Sequence, residues 1–299
     1  MADSQINLDP AKLRDTILSW LQGRLDEEEL EWIASKSHDL TKGSEDWQFF
    51  TAFSGVPRHT GKAELNLTED EQKEAEQIRP GWKPAGWSVD QLGRTLLILS
   101  IAEEAEDKFL DKLEKTFISS DIGEAVALYQ ALPVLPYPEK LQKRAAEGIR
   151  SNMTSVFNAV ALNNPYPAEY LDERAWNQLV LKALFVESPL YKIEGIDQRR
   201  NKKLAEMLVD YAHERWAADR NVTPELWRPV APFTEGKILD DLEKVLGQPE
   251  EIQQKAALLA LSESPAERAQ RILENHKALV EEIDHQKIGW NTIGRQFNE

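Results

Sequence analysis

The sequence predicts an all-α protein, built either as an irregular helical bundle or as a HEAT-like α-solenoid of helix pairs. Three observations predict it. Apolar residues recur at helical spacing along almost the whole chain. Capping and helix-stopping residues punctuate those runs at the intervals of ordinary helices. No stretch alternates apolar and polar residues for long enough to make a strand. With 299 residues, 41% of them hydrophobic, and nine Trp and nine Phe, the chain has the apolar surface to bury a core.

Asp9 followed by Pro10 reads as a cap with proline at the first helical position, opening a helix from 10 to about 22. Asp26 opens a second, to about 40, and Ser44 caps a third that carries Trp47, Phe50 and Phe53. Thr68 and Glu71 form a capping box before a charged helix ending near Pro80. Residues 54–61 and 80–87 (PGWKPAGW) are irregular; the second, too aromatic for a linker, reads as a packed loop that clamps its neighbours. Ser88 starts a helix that is apolar on nearly every side over 96–102 (LLILSIA) and so belongs at a bundle centre.

Asp121 and Glu124 make another capping box, opening a helix that stops at Pro133. Pro136 and Pro138 precede a long helix, 139 to about 162, broken by NNPYP at 163–167. A helix over about 168–186, a loop over 188–200 around Gly195, a helix over about 201–218 and a short start at Thr223-Pro224 follow. Three more helices are expected over about 235–246, 249–261 and 265–285, and the last fifteen residues are ambiguous. The segments AVALYQALP (125–133) and AALLALSESP (256–265) are alike, as repeated helix pairs would be, although amphipathic helices also resemble one another by chance. The whole reads as a single helical domain, 1–299, with a division into an N-terminal subdomain 1–118 and a core 119–299 as the alternative.

Composition narrows the function classes. Cysteine is absent, which excludes disulfides and thiolate metal sites and fits a reducing compartment. The net charge of −16 disfavours nucleic acid and anionic lipid surfaces as partners. The first residues, MADSQINLDPAKLRD, lack the basic and apolar regions of a signal peptide, and 96–102 is too short to span a bilayer. A cytoplasmic protein without direct membrane insertion is expected.

Polar side chains in apolar helix faces are the candidate site. Projected at 100° per residue, the helix from 139 places Asn152 in its apolar arc, with Asn163 near the same line at its end. The next helix puts Trp176 in its arc and Asn177 between Leu181 and Leu184. On the helix from 201, Arg215 points along the middle of an arc that includes Trp216, so Arg215 is expected to be largely buried and His213, two residues away, mostly exposed. Such groups need partners when buried. They either tie helices together or, with Tyr166, Trp176 and Trp216, line a ligand pocket.

Catalytic and metal signals are weak. Glu206, Asp210 and His213 share a helix face, but that face is the polar one, and HERW is not an H-E-x-x-H sequence. Asp240-Asp241 resembles the start of an acidic Mg²⁺–diphosphate motif, yet Lys244 stands where a third carboxylate is needed. No glycine-rich phosphate loop and no G-x-S-x-G elbow occur. No catalytic residue, cofactor or metal site is expected.

Four segments together resemble the EboA family of bacterial metabolite-traffic proteins: RPGWKPAGWS (79–88), RSNMTSVFNAVALNNPYPAEYLDERAWNQLVLKALF (150–185), SPLYKIEGID (188–197) and DYAHERWAADRNVTPELWRPVAPF (210–233). The resemblance implies a gene cluster that also encodes a UbiA-type prenyltransferase, a TatD-like hydrolase, a dehydroquinate-synthase-like protein and a sugar-isomerase-like protein. It implies movement of secondary-metabolite precursors towards the periplasm, and it carries no catalytic residues. Three readings follow: a non-catalytic accessory protein that binds a small-molecule metabolite or partner proteins of its cluster, including the prenyltransferase; a helical enzyme acting on an isoprenoid or cyclitol intermediate; or a pure protein-interaction scaffold.

Overall fold

The computed structural model describes residues 8–43 and 45–298. The protein is all-α, as the sequence predicts. Among the described residues there is no strand, only an isolated antiparallel bridge between Glu64 and Ser88. Contacts group the chain into two units that meet in sequence between Leu171 and Asp172.

The first unit holds α1 (Pro10–Gln22), α2 (Glu27–Thr41), α3 (Asp46–Thr60), α4 (Glu69–Ile78), α5 (Val89–Ser100), α6 (Glu106–Ser119), α7 (Ile122–Ala131), α8 (Gln142–Arg150), α9 (Thr154–Ala161) and α10 (Tyr166–Tyr170). Local chemistry opens many of them. The Asp9 carboxylate accepts the Ala11 N–H at 2.9 Å to start α1. Asp26 with Glu29, Thr68 with Glu71 and Asp121 with Glu124 form reciprocal capping boxes. Ser44 lies outside the described residues; Glu45 precedes α3, its N–H donating to Gln48 Oε1 at 2.9 Å.

Helix α5 is buried along almost its full length and packs against α1, α2, α3 and α7. That enclosure follows from its apolar sequence, but the helix also carries Asp90 and Arg94, both nearly excluded from water. The two pair one turn apart, Arg94 Nη1 donating to Asp90 Oδ2 at 2.6 Å. Ser88 Oγ donates to the other carboxylate oxygen at 2.5 Å. Arg94 Nε donates to the Phe53 carbonyl at 3.3 Å. Phe53 is four residues before Pro57, which has no N–H to return to it. The helix therefore continues through Pro57 to Thr60, where the sequence predicts an irregular stretch from 54, because Arg94 supplies the donor that proline lacks.

The PGWKPAGW loop is packed as expected: Trp82 and Trp87 are buried, and Trp82 lies 5.8 Å from Trp20 and 5.9 Å from Trp87 between ring centres. Beside it Arg24 grips Glu71 through both guanidinium nitrogens, at 2.9 and 2.5 Å. Arg79, buried, donates to the Pro133 carbonyl at 2.9 Å and makes a two-pronged ion pair with Glu169. Gly148 lets α8 meet α7 and α9, since a Cβ there would come within 2.6 Å of Val160 and 2.7 Å of Tyr129.

The second unit holds α11 (Glu173–Phe185), α12 (Lys202–Ala217), α13 (Trp227–Val230), α14 (Lys237–Leu246), α15 (Glu251–Ser262), α16 (Glu267–Asn275), α17 (Lys277–Gln286) and α18 (Trp290–Asn298). Here α15 takes the central place, touching α13, α14, α16, α17 and α18.

Several helices expected to be continuous are divided. The run over 139–162 breaks between α8 and α9, where Ser151 Oγ accepts the Met153 N–H at 3.1 Å and restarts the chain at Thr154. The run over 168–186 breaks before Asp172, whose carboxylate caps α11 through the Ala175 N–H at 2.7 Å. The run over 265–285 breaks at His276, and α6 and α18 form where the sequence reading drew no helix.

Arg94→Met strands the Asp90 carboxylate and the Phe53 carbonyl in the core, so it is expected to cost about 3–5 kcal/mol in urea unfolding. Adding Asp90→Asn should recover part of that, and an unchanged double mutant would contradict the pairing. Glu71 gives a pH test. Its hydrogen bond from Arg24 holds the carboxyl at about 2, below its ordinary 4.5. A lowered carboxyl pKa stabilises the fold above the unfolded value, and the gain fades as pH falls from about 4.5 towards 2. The stability gap between wild type and Glu71→Gln should therefore be full at pH 7 and shrink steadily below pH 4.5. A gap independent of pH would refute it.

Candidate functional site

A cleft of about 880 Å³ lies within the second unit. Its walls begin at the C-terminal end of α11, where Leu184 and Phe185 stand, and continue on the face of α12 with Tyr211 and Arg215. Tyr211 joins these two walls: its hydroxyl donates to the Leu184 carbonyl at 3.4 Å, and its ring meets Phe185 edge-on at 4.9 Å.

The rim is made by the way α12 stops. The Arg215 carbonyl accepts from Ala218 N–H at 3.1 Å and Arg220 N–H at 2.9 Å, and Asp219 takes a left-handed conformation at φ 53°. The Arg215 side chain folds the other way, its Nε and Nη2 both donating to the Asn221 carbonyl at 3.2 and 3.0 Å. One residue thus closes the turn with its backbone and holds it with its guanidinium.

The floor is polar. Gln253, near the start of α15, is 5% exposed. Its Nε2 donates to the Val222 carbonyl at 2.8 Å, which fixes the amide, while its Oε1 is buried with no hydrogen-bond partner. Glu225 is 2% exposed and accepts from the N–H groups of Leu190 and Tyr191 at 3.2 and 2.5 Å and from Asn298 Nδ2 at 2.9 Å. Burial pushes its carboxyl above the usual range, against those donors and the charge of Arg228, which pull it down. Helix α18 closes this side, with Phe297 and Asn298 on the cleft. It approaches so closely that a Cβ on Gly294 would lie 2.6 Å from Glu225 Oε1 and from Tyr191.

The seven residues singled out from sequence divide between the units. Asn152, Asn163 and Tyr166 belong to the first. Asn152 is exposed, a correction to its expected place in an apolar arc, because the break at 151–153 resets the helical phase. Asn163 is half-exposed with φ 53°, and its neighbour Asn164 does the tying: Nδ2 donates to the carbonyls of Tyr129 and Ala159 at 3.1 and 3.0 Å, and Oδ1 accepts the Tyr166 N–H at 3.0 Å. Tyr166 is buried, its hydroxyl on the Pro138 carbonyl at 2.5 Å, and desolvation raises its pKa far above the usual phenol value.

In the second unit Trp176 is buried beneath the Arg199 guanidinium, 5.1 Å from its ring centre. Asn177 exchanges hydrogen bonds with Asn201 at 2.8 and 3.2 Å, and Asn201 in turn caps α12 through the Leu204 N–H at 2.8 Å. Trp216 is half-buried, 6.0 Å from Trp227, with Lys244 Nζ 4.1 Å above its ring. Arg215 is half-exposed, which corrects the expectation of a largely buried guanidinium: α12 ends two residues later, and the side chain lies on the cleft, turned to the Asn221 carbonyl. Of the seven, Arg215 lines the cleft. His213 is exposed, as expected, with Nε2 2.9 Å from Asp241 Oδ1. Among the described residues no three of His, Cys, Asp and Glu group as metal ligands, and no helix is long and apolar enough to cross a membrane.

Sequence reasoning missed Phe185, Glu225, Gln253 and Phe297. The proline start at 223–224 marks the segment carrying Glu225, but its burial depends on α18, whose Trp290–Asn298 lies far off in sequence.

These placements separate two substitutions. Asn177→Ala removes both halves of a buried exchange and loosens the cap of α12, so it should lower stability by about 1–3 kcal/mol. Arg215→Ala gives up contacts to one carbonyl at a half-exposed position and should cost about 1 kcal/mol or less. Urea unfolding of the two variants checks the order, and a reversed order would mean that Arg215 is the core tie.

The comparisons with known proteins agree with the resemblance read from the four segments. No curated protein and no solved structure matches the chain. The family described as "Metabolite traffic protein EboA" matches residues 13–231, from within α1 to the end of α13, with the part of the cleft formed by α11, α12 and the turn after it. A match over more than half of the chain settles membership, and the protein belongs to the EboA family.

Proposed function

We propose that this protein is a non-catalytic accessory component of secondary-metabolite precursor traffic, working in the cytoplasm and holding a small metabolite in the cleft of its second unit. The family description supplies the metabolite-traffic role. The cleft supports the binding step: it is large enough for a small molecule, and it sets aromatic and apolar walls beside a few polar groups. Phe185 and Phe297 stand 61% and 46% exposed there, an apolar surface that a ligand would cover. Delivery to other proteins of the same gene cluster, the prenyltransferase among them, belongs to this proposal and rests on the family resemblance alone.

One observation favours an enzyme instead. A carboxyl group pushed up by burial in a cleft is what an acid catalyst needs, and Glu225 has that property. Its oxygens, however, are engaged by two backbone N–H groups and the Asn298 amide, which together serve to seat α18. That use accounts for the residue without chemistry.

Thermal melting of the full chain with the metabolites made by its gene-cluster neighbours tests the proposal. A ligand at a hundred times its Kd should stabilise the fold by about 2.7 kcal/mol. Arg215→Ala and Phe297→Ala should each reduce the ligand-induced rise while leaving the ligand-free melting temperature within a few degrees. No rise with any metabolite, together with capture of the neighbouring proteins in a pull-down, would replace this reading with the scaffold. Turnover of a metabolite that is lost in Glu225→Gln would replace it with the enzyme.

A further inference from the structure

We propose that α18 is a lid on the cleft: hinged at residues 287–289, it lifts and reseats as one unit, and in lifting it takes Phe297 and Asn298 off the cleft and uncovers Glu225. The inference goes beyond metabolite binding and does not depend on what the cleft holds.

Little apolar surface holds the helix down. Of its nine residues, Ile293 and Gly294 are the buried ones, so a single aliphatic side chain anchors it in the core. Helix α15, against which it packs, buries Ala256, Ala257, Leu258, Ala260 and Leu261. Elements with few buried apolar contacts open locally at a smaller cost than unfolding of the whole. Side-chain hydrogen bonds supply the rest of the hold. Trp290 Nε1 donates to Glu263 Oε1 at 2.7 Å, Arg228 Nη1 to Asn291 Oδ1 at 2.8 Å, and Asn298 Nδ2 to Glu225 Oε2 at 2.9 Å. Water replaces such bonds when the helix lifts, so each adds little to the closed state. Closing also has a cost of its own: burial disfavours the charged form of Glu225, and lifting α18 returns water to it.

The chain has a pivot and a seat. Lys287, left-handed at φ 51°, ends α17, and Gly289 follows in open space, where an added Cβ would meet nothing within 4 Å. Residues at the end of an element are the usual place for a hinge to absorb a change of backbone angles. The seat is exact, because a Cβ on Gly294 would lie 2.6 Å from both Glu225 Oε1 and Tyr191. A fit that close is either made or lost, which favours two positions over a continuum.

Amide hydrogen exchange of the full-length protein, followed by ¹H–¹⁵N NMR, tests this. A lifted helix of this length is marginal in water, so its amides exchange once it leaves the body. The N–H groups of Leu190 and Tyr191 report the same event from another segment, since both donate to the Glu225 carboxylate. The amides of residues 293–297 should share one opening free energy with those of Leu190 and Tyr191 and exchange about a hundredfold faster than those of Leu258 and Leu261 in α15. Their exchange should also rise far less steeply with urea than that of α15, because lifting exposes less surface than unfolding. Gly294→Ala should speed the shared group about tenfold by spoiling the seat. Should that variant fail to fold, the wild-type pattern decides. Protection of α18 equal to that of α15, fast exchange confined to 296–298 while Leu190 and Tyr191 stay slow, or a folded Gly294→Ala that leaves Leu190 and Tyr191 unchanged would each overturn the lid. The melting experiment with metabolites is independent of these outcomes, so the binding reading and the lid can fail separately.

Discussion

A helix enclosed on every side can carry charge only if it also carries the means to neutralise it, and α5 meets that constraint within its own sequence. Asp90 and Arg94 are one turn apart, so their pairing requires no other element to arrive in register. What remains of the guanidinium is directed at a single carbonyl, that of Phe53, which Pro57 has left without its usual partner. Two irregularities that would each be unfavourable alone, a proline inside α3 and an arginine inside the core, cancel because α3 and α5 pack together. The contacts of α1, α2, α3 and α7 in the first unit all converge on that helix.

The second unit uses the same kind of pairing around α15. Lys255 is buried along its stem but reaches Glu251 on its own helix and Glu282 at 2.9 Å on α17. Asp197 holds Arg228 and Arg200 together, and the two arginines keep its carboxyl below the usual range although burial acts the other way. Gln253, also on α15, has only half of its amide satisfied.

What could be read from the sequence was what is decided locally. Asp9-Pro10, Asp26, Thr68 with Glu71 and Asp121 with Glu124 start helices because the cap and the groups it satisfies lie within four residues of each other. The breaks at 151–153 and before Asp172 are also local, but Ser151 and Asp172 look like ordinary surface residues unless their backbone contacts are known. Asn152 was misplaced for that reason alone: its wheel was drawn through a break. Pro57 is the opposite case, a stop signal overruled by a side chain from another helix. The candidate site was the least legible part, because the cleft draws on residues from 184 to 298, and no local signal tells which distant helix forms its closing wall. Arg215 was found, while the amide and the phenylalanines around it were not.

The family match ends at residue 231, but the cleft does not. Gln253, Phe297 and Asn298 lie beyond that limit and meet Arg215, Tyr211 and Glu225 from within it. The chamber is therefore built partly from the segment that matches the family and partly from residues that follow it. Substitutions after residue 231 would reshape one wall of that chamber without altering any residue of the segment that shows the family.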